Sequence, residues 1–256
     1  IPFGGVLDSL TQIGPMARWV EDLALTLPII AGVDGHDPGV IPMTLRHPRD
    51  VSLERLRVAF YTDNGISTPA PEITAAVRRA AEVLSDSVGF VEEDRPPGIE
   101  DSLVYGDLVV ATLGVDRWLR EAGTKRPHEL LRGLLARQRA TVMRASDLDE
   151  LVTRWDRFRL AMHSFLAKYD LILCPVHAGA ALPHGTTSEP DKARGFSYTP
   201  AYNLTGWPAV VVRTGATREG LPVGVQVVAQ PWREDVALAA AQHIETALGG
   251  WRRPDL

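Results

Sequence analysis

Two short apolar runs, Leu56 to Tyr61 and Val88 to Glu92, flank a segment whose apolar residues recur at helical spacing. Pro71 suits a first helical turn, and Ile73, Ala76, Val77, Ala80, Ala81 and Leu84 trace one face of the helix it opens. A strand, a helix and a second strand in that order form a β-α-β unit. The helix must carry the chain back across the sheet, so the strands lie parallel and the default crossover is right-handed. The unit therefore predicts an α/β fold.

The rest of the chain extends this pattern. Val20, Leu23, Ala24, Leu27 and Ile30 form a helical stripe over residues 19–31, with Glu21 and Asp22 in the first turn and Gly32 as the stop. Pro28 removes an interior hydrogen bond and is expected to kink the last turn. Residues 32–50 are rich in Gly, Pro and Asp and read as loop. Residues 100–145 are helical in pattern, broken at Gly123 and Pro127. A longer helix follows, with Ser146 and Asp149 at capping-box spacing. Its core face is Leu148, Leu151, Val152, Trp155, Phe158, Met162, Phe165 and Leu166.

Asp170 to Pro175 is a buried-strand signal, as are Ala209 to Arg213 and Val223 to Val228, the last two joined by a turn at Arg218-Glu-Gly220. A final helix near 233–248 is expected to bury Val236, Leu238, Ala239, Ile244 and Leu248, ending at Gly249-Gly250. Between these signals, residues 176–207 show punctuation without periodicity. A structureless run of that length inside a compact domain is more often functional than incidental.

Composition narrows the function class. With 256 residues, 45% apolar and 23% charged, the chain is ordinary for a globular protein. A net charge of −5 argues against nucleic acid as the main partner. No apolar run reaches the length of a membrane span. A single cysteine, Cys174, excludes an intramolecular disulfide and a cysteine-based zinc site, and fits a reducing, cytoplasmic setting. The chain opens on Ile1-Pro-Phe rather than Met, which reads as a polypeptide entered partway through.

Several side-chain groups invite a chemical reading. Cys174 and His177 are a thiol and an imidazole three residues apart, which suggests a nucleophile–base dyad. A thiol preceding a proline at a strand end is more simply packed. His177, His184 and Asp191 carry metal-ligand chemistry but lie in irregular chain without a helical or hairpin frame. Asp34, His36 and Asp37 lack EF-hand spacing and its closing Glu. The turn after Tyr61, Thr62-Asp-Asn-Gly65, is not the Gly-rich turn of a phosphate cradle. Arg132, Arg137, Arg139 and Arg144 read as a solvated helix face.

The strand ends are the better place to look, since ligands gather where loops leave them. Tyr198, Tyr202 and Trp207 offer apolar surface with polar tips. Thr199, Asn203 and Thr205 suit either ligand contact or the backbone groups of a crowded turn.

Five blocks in order carry a family resemblance. They are Gly14-Pro-Met-Ala-Arg18 with its helix, Ala31-Gly-Val-Asp34 with Asp37, Tyr169-Asp-Leu-Ile-Leu-Cys-Pro175, Asn203-Leu-Thr-Gly-Trp-Pro208, and Gly220-Leu-Pro-Val-Gly-Val-Gln226; Trp232-Arg-Glu-Asp235 then opens the last helix. Together they resemble the C-terminal half of an amidase-signature hydrolase, with Ser197-Tyr-Thr199 and Tyr202-Asn203 leaning toward the fatty-acid-amide-hydrolase-like branch.

The resemblance implies an α/β fold with a mixed, largely parallel β-sheet flanked by helices, of which residues 1–256 supply the C-terminal portion of a single domain. It implies amide hydrolysis without metal or cofactor: acyl transfer to a serine activated by a lysine and a second, cis-linked serine, with backbone N–H groups holding the oxyanion. The Gly/Ser-rich signature and those catalytic groups belong upstream of Ile1, so no catalytic residue is carried over. Lys125, Lys168 and Lys192 are the only lysines, none in the family's context.

What carries over is a pocket wall for a small-molecule amide. Its residues are Cys174, Val176, Tyr198, Thr199, Tyr202, Asn203 and Trp207, with Gln226 as support. Trp19 stands where relatives carry a capping threonine. A sheet shortened this way exposes an edge, to be covered by the N-terminal half or by a second copy. A catalytically inactive amidase-like binding or scaffold domain is the alternative reading.

Overall fold

The computed structural model describes residues 5–253 except positions 12, 38, 142 and 188; the opening residues Ile1 to Gly4 lie outside the described residues. In chain order the elements begin with α1 (Gly5–Leu10), α2 (Val20–Ile30), β1 (Arg57–Phe60), α3 (Pro71–Ser85) and β2 (Phe90–Glu93). Four helices follow: α4 (Val104–Thr112), α5 (Val115–Glu121), α6 (Glu129–Ala140) and α7 (Ala145–Leu166). The chain ends with β3 (Leu171–Pro175), α8 (Pro190–Arg194), α9 (Pro200–Thr205), β4 (Ala209–Ala216), β5 (Pro222–Ala229) and α10 (Glu234–Leu248).

The five strands form one mixed sheet in the order β2-β1-β3-β5-β4. The β-α-β unit pairs in parallel as its sequence requires, with Val58 opposite Val91, and β1 pairs in parallel with β3. β5 runs antiparallel to both β3 and β4. Four strands therefore share one direction and β5 alone opposes them, which makes the sheet largely parallel.

Side chains alternate across the strands, so β1, β3 and β5 each feed two cores. Val58, Leu171, Leu173, Val225 and Val227 face α3 and α10, where all six residues of the expected α3 face are buried. Ala59, Ile172, Cys174 and Val228 face the layer built from α4, α7 and α9. β3 lies at the centre of the sheet with all five residues buried, which its unbroken apolar run anticipates.

Several expectations need correction. The long helix α7 starts one residue before Ser146. Arg144 is its N-cap, and the Asp147 carboxylate accepts from Arg144 N at 2.9 Å, so Ser146 and Asp149 do not form the box. Segment 176–207 is not structureless: α8, a 3-10 turn at Gly195–Tyr198 and α9 lie within it, each too short for a helical period to show. In α10 Ala237, Ala240 and Ala241 are buried while Ala239 and Leu248 are half-buried. Helix α2 runs through Pro28 to Ile30, and Ile30 is exposed.

Candidate functional site

The β3–β5 register sets Cys174 opposite Gln226. Gln226 Nε2 points at Cys174 Sγ (3.4 Å), Pro175 O (3.3 Å) and Tyr198 O (3.4 Å). Tyr202, reaching in from α9, places its hydroxyl 3.3 Å from Cys174 Sγ and 2.9 Å from the hydroxyl of Tyr61. Tyr61, Cys174, Tyr202 and Gln226 thus form a buried polar knot. In the sequence Tyr61 marks only the end of an apolar run. The signal for its role is the parallel register, because Phe60 pairs with Leu173 and sets the following residues side by side.

Burial decides the chemistry of this knot. It pushes the Cys174 thiol up to about 11, against weaker opposing pulls from its hydrogen bonds to Tyr202, Tyr61 and Gln226. Burial likewise drives the Tyr61 and Tyr202 phenols well above their ordinary value, reinforced by repulsion from Cys174. All three groups are neutral near pH 7, so the knot holds no thiolate nucleophile. Nor does His177 serve Cys174: its Nδ1 lies 3.0 Å from both Gly179 N and Gly179 O, and its ring packs on Phe196.

Tyr198 and Val176 sit apart from the open surface. Tyr198 is fully buried, and its hydroxyl donates to Ser67 O at 2.6 Å. Asn64, also fully buried, donates to Ser197 Oγ at 3.0 Å while its Oδ1 accepts from Ile66 N and Ser67 N. These bonds staple the turn after β1 to the turn before α9. Val176 is half-buried one residue beyond β3.

The other expected wall residues do converge. Thr199, Tyr202, Asn203, Trp207 and Gln226 line a groove of about 660 Å³ that runs along β4, whose Val211 side chain is 53% exposed. Ile13, Met16, Leu23, Leu27 and Leu238 line it as well. Cys174, Val176 and Tyr198 are not among its lining residues; Cys174 lies on the central strand β3 and Tyr198 is fully buried.

Several polar groups of the wall are taken up by backbone. Thr199 Oγ1 donates to Phe196 O, Thr205 Oγ1 to Tyr202 O, and Asn203 Nδ2 to Leu10 O at 2.9 Å. Among the described residues, Glu234 is the one charged side chain lining the groove.

The rival constellations do not assemble. Among the described residues, no three His, Cys, Asp or Glu side chains gather in a way that could hold a metal ion. Asp34 instead accepts from His36 N and Asp37 N in a local turn. Asp63 accepts from Gly65 N at 2.7 Å in the turn after β1. Arg139 and Arg144 pair with Asp116 and Asp147 on an exposed surface.

The amidase family profile matches residues 2–238. The chain belongs to the amidase family. It is 28% identical to an indoleacetamide hydrolase of Bradyrhizobium diazoefficiens over 245 residues, covering 92% of this chain and 46% of that protein. It is also 28% identical to fatty-acid amide hydrolase 2-B of Danio rerio, covering 98% of this chain and 51% of that protein. The fold matches 6-aminohexanoate cyclic dimer hydrolase with a TM-score of 0.77 at 24% identity, covering 93% of this chain and 55% of that one. This amidase chain spans about half the length of the curated relatives it matches.

None of the three lysines of this amidase chain lines the groove. Lys125 and Lys168 are exposed, and Lys192 pairs with Glu189 at 2.9 Å. No helix among the described residues is long and apolar enough to cross a membrane.

Proposed function

We propose that this chain is the C-terminal half of an amide hydrolase and supplies one wall of its substrate groove. The serine nucleophile, its lysine and the oxyanion donors then reside in the part of the enzyme that this chain does not span. The carrying observation is the makeup of the groove. It combines a large apolar surface with the polar groups of Thr199, Tyr202, Asn203, Trp207 and Gln226 and one carboxylate, Glu234, and among the described residues neither a serine nor a lysine lines it. Such a surface binds and orients an amide. Cleavage requires a hydroxyl with a base beside it and preorganised donors for the developing negative charge.

Thr199, Tyr202, Asn203, Trp207 and Gln226 are the wall residues in this reading, and Cys174, Tyr198 and Val176 hold the wall from behind. The knot around Cys174 fixes the Tyr202 ring, and the staple through Tyr198 and Asn64 fixes the turn that leads into α9. The substrate is a small-molecule carboxamide, cleaved to an acid and an amine or ammonia. The remaining half of the enzyme, or failing that a second copy, covers the β4 edge. A single cysteine in this chain fits a reducing, cytoplasmic setting for the assembly.

Serine-directed fluorophosphonate labelling of the 256-residue chain tests the reading. The expected result is no labelled serine and no amide turnover by this chain alone, with both appearing when the remaining half is supplied. Stoichiometric labelling of one serine in the isolated chain, together with turnover, would overturn it.

A further inference from the structure

Arginines gather around the short tail that follows α10. Arg213, on β4, is half-buried and donates from Nη1 to Gly250 O at 3.0 Å. Arg252 Nη2 lies 3.9 Å from where a Cβ on Gly249 would stand, and its charge repels Arg213. Burial first, and that repulsion second, hold the Arg213 guanidinium below its ordinary value. Arg18 sits over the Trp251 ring, 4.6 Å from its centroid, a cation–π contact on the same tail.

This positive charge is not balanced locally. Among the described residues, Arg18, Arg213 and Arg252 form no ion pair. The Glu245 carboxylate, which crowds Gly250, is already engaged by the Val20 N–H and by Gln242 Nε2. The C-terminus of α10 offers about half an elementary negative charge, too little to offset three guanidinium groups. Aromatic surface lies beside them. Trp19 meets Trp251 edge to face with centroids 6.2 Å apart, is 43% exposed, and makes no side-chain cap bond to α2.

We propose that this cluster binds a small aromatic oxyanion, a phosphate or carboxylate held by the Arg213 and Arg252 forks with its ring against Trp19. Arg18, Trp19, Arg213, Trp251 and Arg252 do not line the groove, so the site is separate from the amide-binding wall and does not depend on that reading. The whole chain carries a net charge of −5, which opposes indiscriminate capture of anions and makes a local cation cluster selective.

Isothermal titration calorimetry of the 256-residue chain tests the site, with phenyl phosphate, phenylacetate and inorganic phosphate as probes. Phenyl phosphate is expected to bind saturably, and less tightly as KCl is raised. Arg213→Gln and Arg252→Gln are each expected to weaken it about ten-fold, the lower end for a hydrogen bond to a charged group. Arg252 lies on an exposed tail, so that variant keeps the fold. Trp19→Ala is expected to bring phenyl phosphate down to the affinity of inorganic phosphate. Tighter binding of phenyl phosphate than of phenylacetate assigns the oxyanion to a phosphate, and the reverse order assigns it to a carboxylate; either order supports the site.

Arg132→Gln, on the exposed surface of α6, is the control and is expected to leave binding unchanged. Equal weakening by Arg132→Gln would reduce the effect to overall charge and overturn the proposal. Unchanged binding by both Arg213→Gln and Arg252→Gln, or no saturable binding of either aromatic anion, overturns it as well.

Discussion

The carboxylate of Glu245, in α10, accepts from the backbone N–H of Val20, the first residue of α2, through both oxygens at 3.2 Å. The N-cap residue of α2 is Trp19, whose indole cannot accept, and it makes no side-chain cap bond. A side chain 225 positions away therefore supplies the missing cap. Gln242 Nε2 donates to the same carboxylate at 3.2 Å. Gly250 crowds it from the other side: a Cβ there would fall 2.7 Å from Glu245 Cγ, and the backbone is left-handed at φ +51°. The bond couples α2, one wall of the groove, to the final helix.

Replacing Glu245 by Ala is expected to cost about 0.5–2 kcal/mol, the range for losing a helix cap. Glu245→Gln keeps an acceptor oxygen and is expected to cost less. Urea denaturation midpoints of the two variants check the order. Equal stability of Glu245→Ala and the parent would show that α2 needs no cap from α10.

The buried thiol makes stability depend on pH. The Cys174 pKa is raised from 9.0 to about 11 by burial, so the folded chain keeps its proton where the unfolded chain loses it. The contribution is fully present below about pH 9 and is lost as pH rises toward 11, on the order of 2 kcal/mol in all. The Tyr61 and Tyr202 phenols shift in the same direction and extend the loss to higher pH. Denaturation of the parent and Cys174→Ala across pH 7–11 reads this out, with the variant expected to show the shallower decline. The folded thiol is also expected to resist alkylation at pH 8. Rapid modification there, without unfolding, would contradict the burial argument.

Strand β4 ends the sheet with Val211 half exposed, beside a groove walled by apolar residues. An unpaired strand edge of this kind recruits other strands. The isolated chain is expected to self-associate in sedimentation velocity, and Val211→Lys to reduce that association while changing folding stability by no more than about 0.5 kcal/mol. A parent chain that sediments as a monomer and melts cooperatively would rule this out.

Much of the architecture is local and so readable from sequence. The six-residue face of α3 is buried in full, the unbroken apolar run at Leu171 to Pro175 is the central strand, and the β-α-β unit pairs in parallel. Each depends on burial repeating at the period of its own element. The Gly249 stop of α10 is equally local, with φ at +82°.

Part of the groove's lining is legible in the sequence as well. The residues around Asn203 to Pro208 mark the groove because small, polar and aromatic side chains crowd one turn between two strand signals.

Tertiary structure decided the rest. The register of β3 against β5 joined Cys174 to Gln226, and the parallel neighbour β1 delivered Tyr61 to Tyr202. Packing buried Cys174 on the central strand and Tyr198 in the turn before α9, and left Trp207 lining the groove. The cap of α2 came from Glu245 rather than from a neighbouring threonine. Periodicity reports which face of an element is buried, but not which distant residue meets it there. That depends on strand order and helix packing, which bring together groups far apart in the chain.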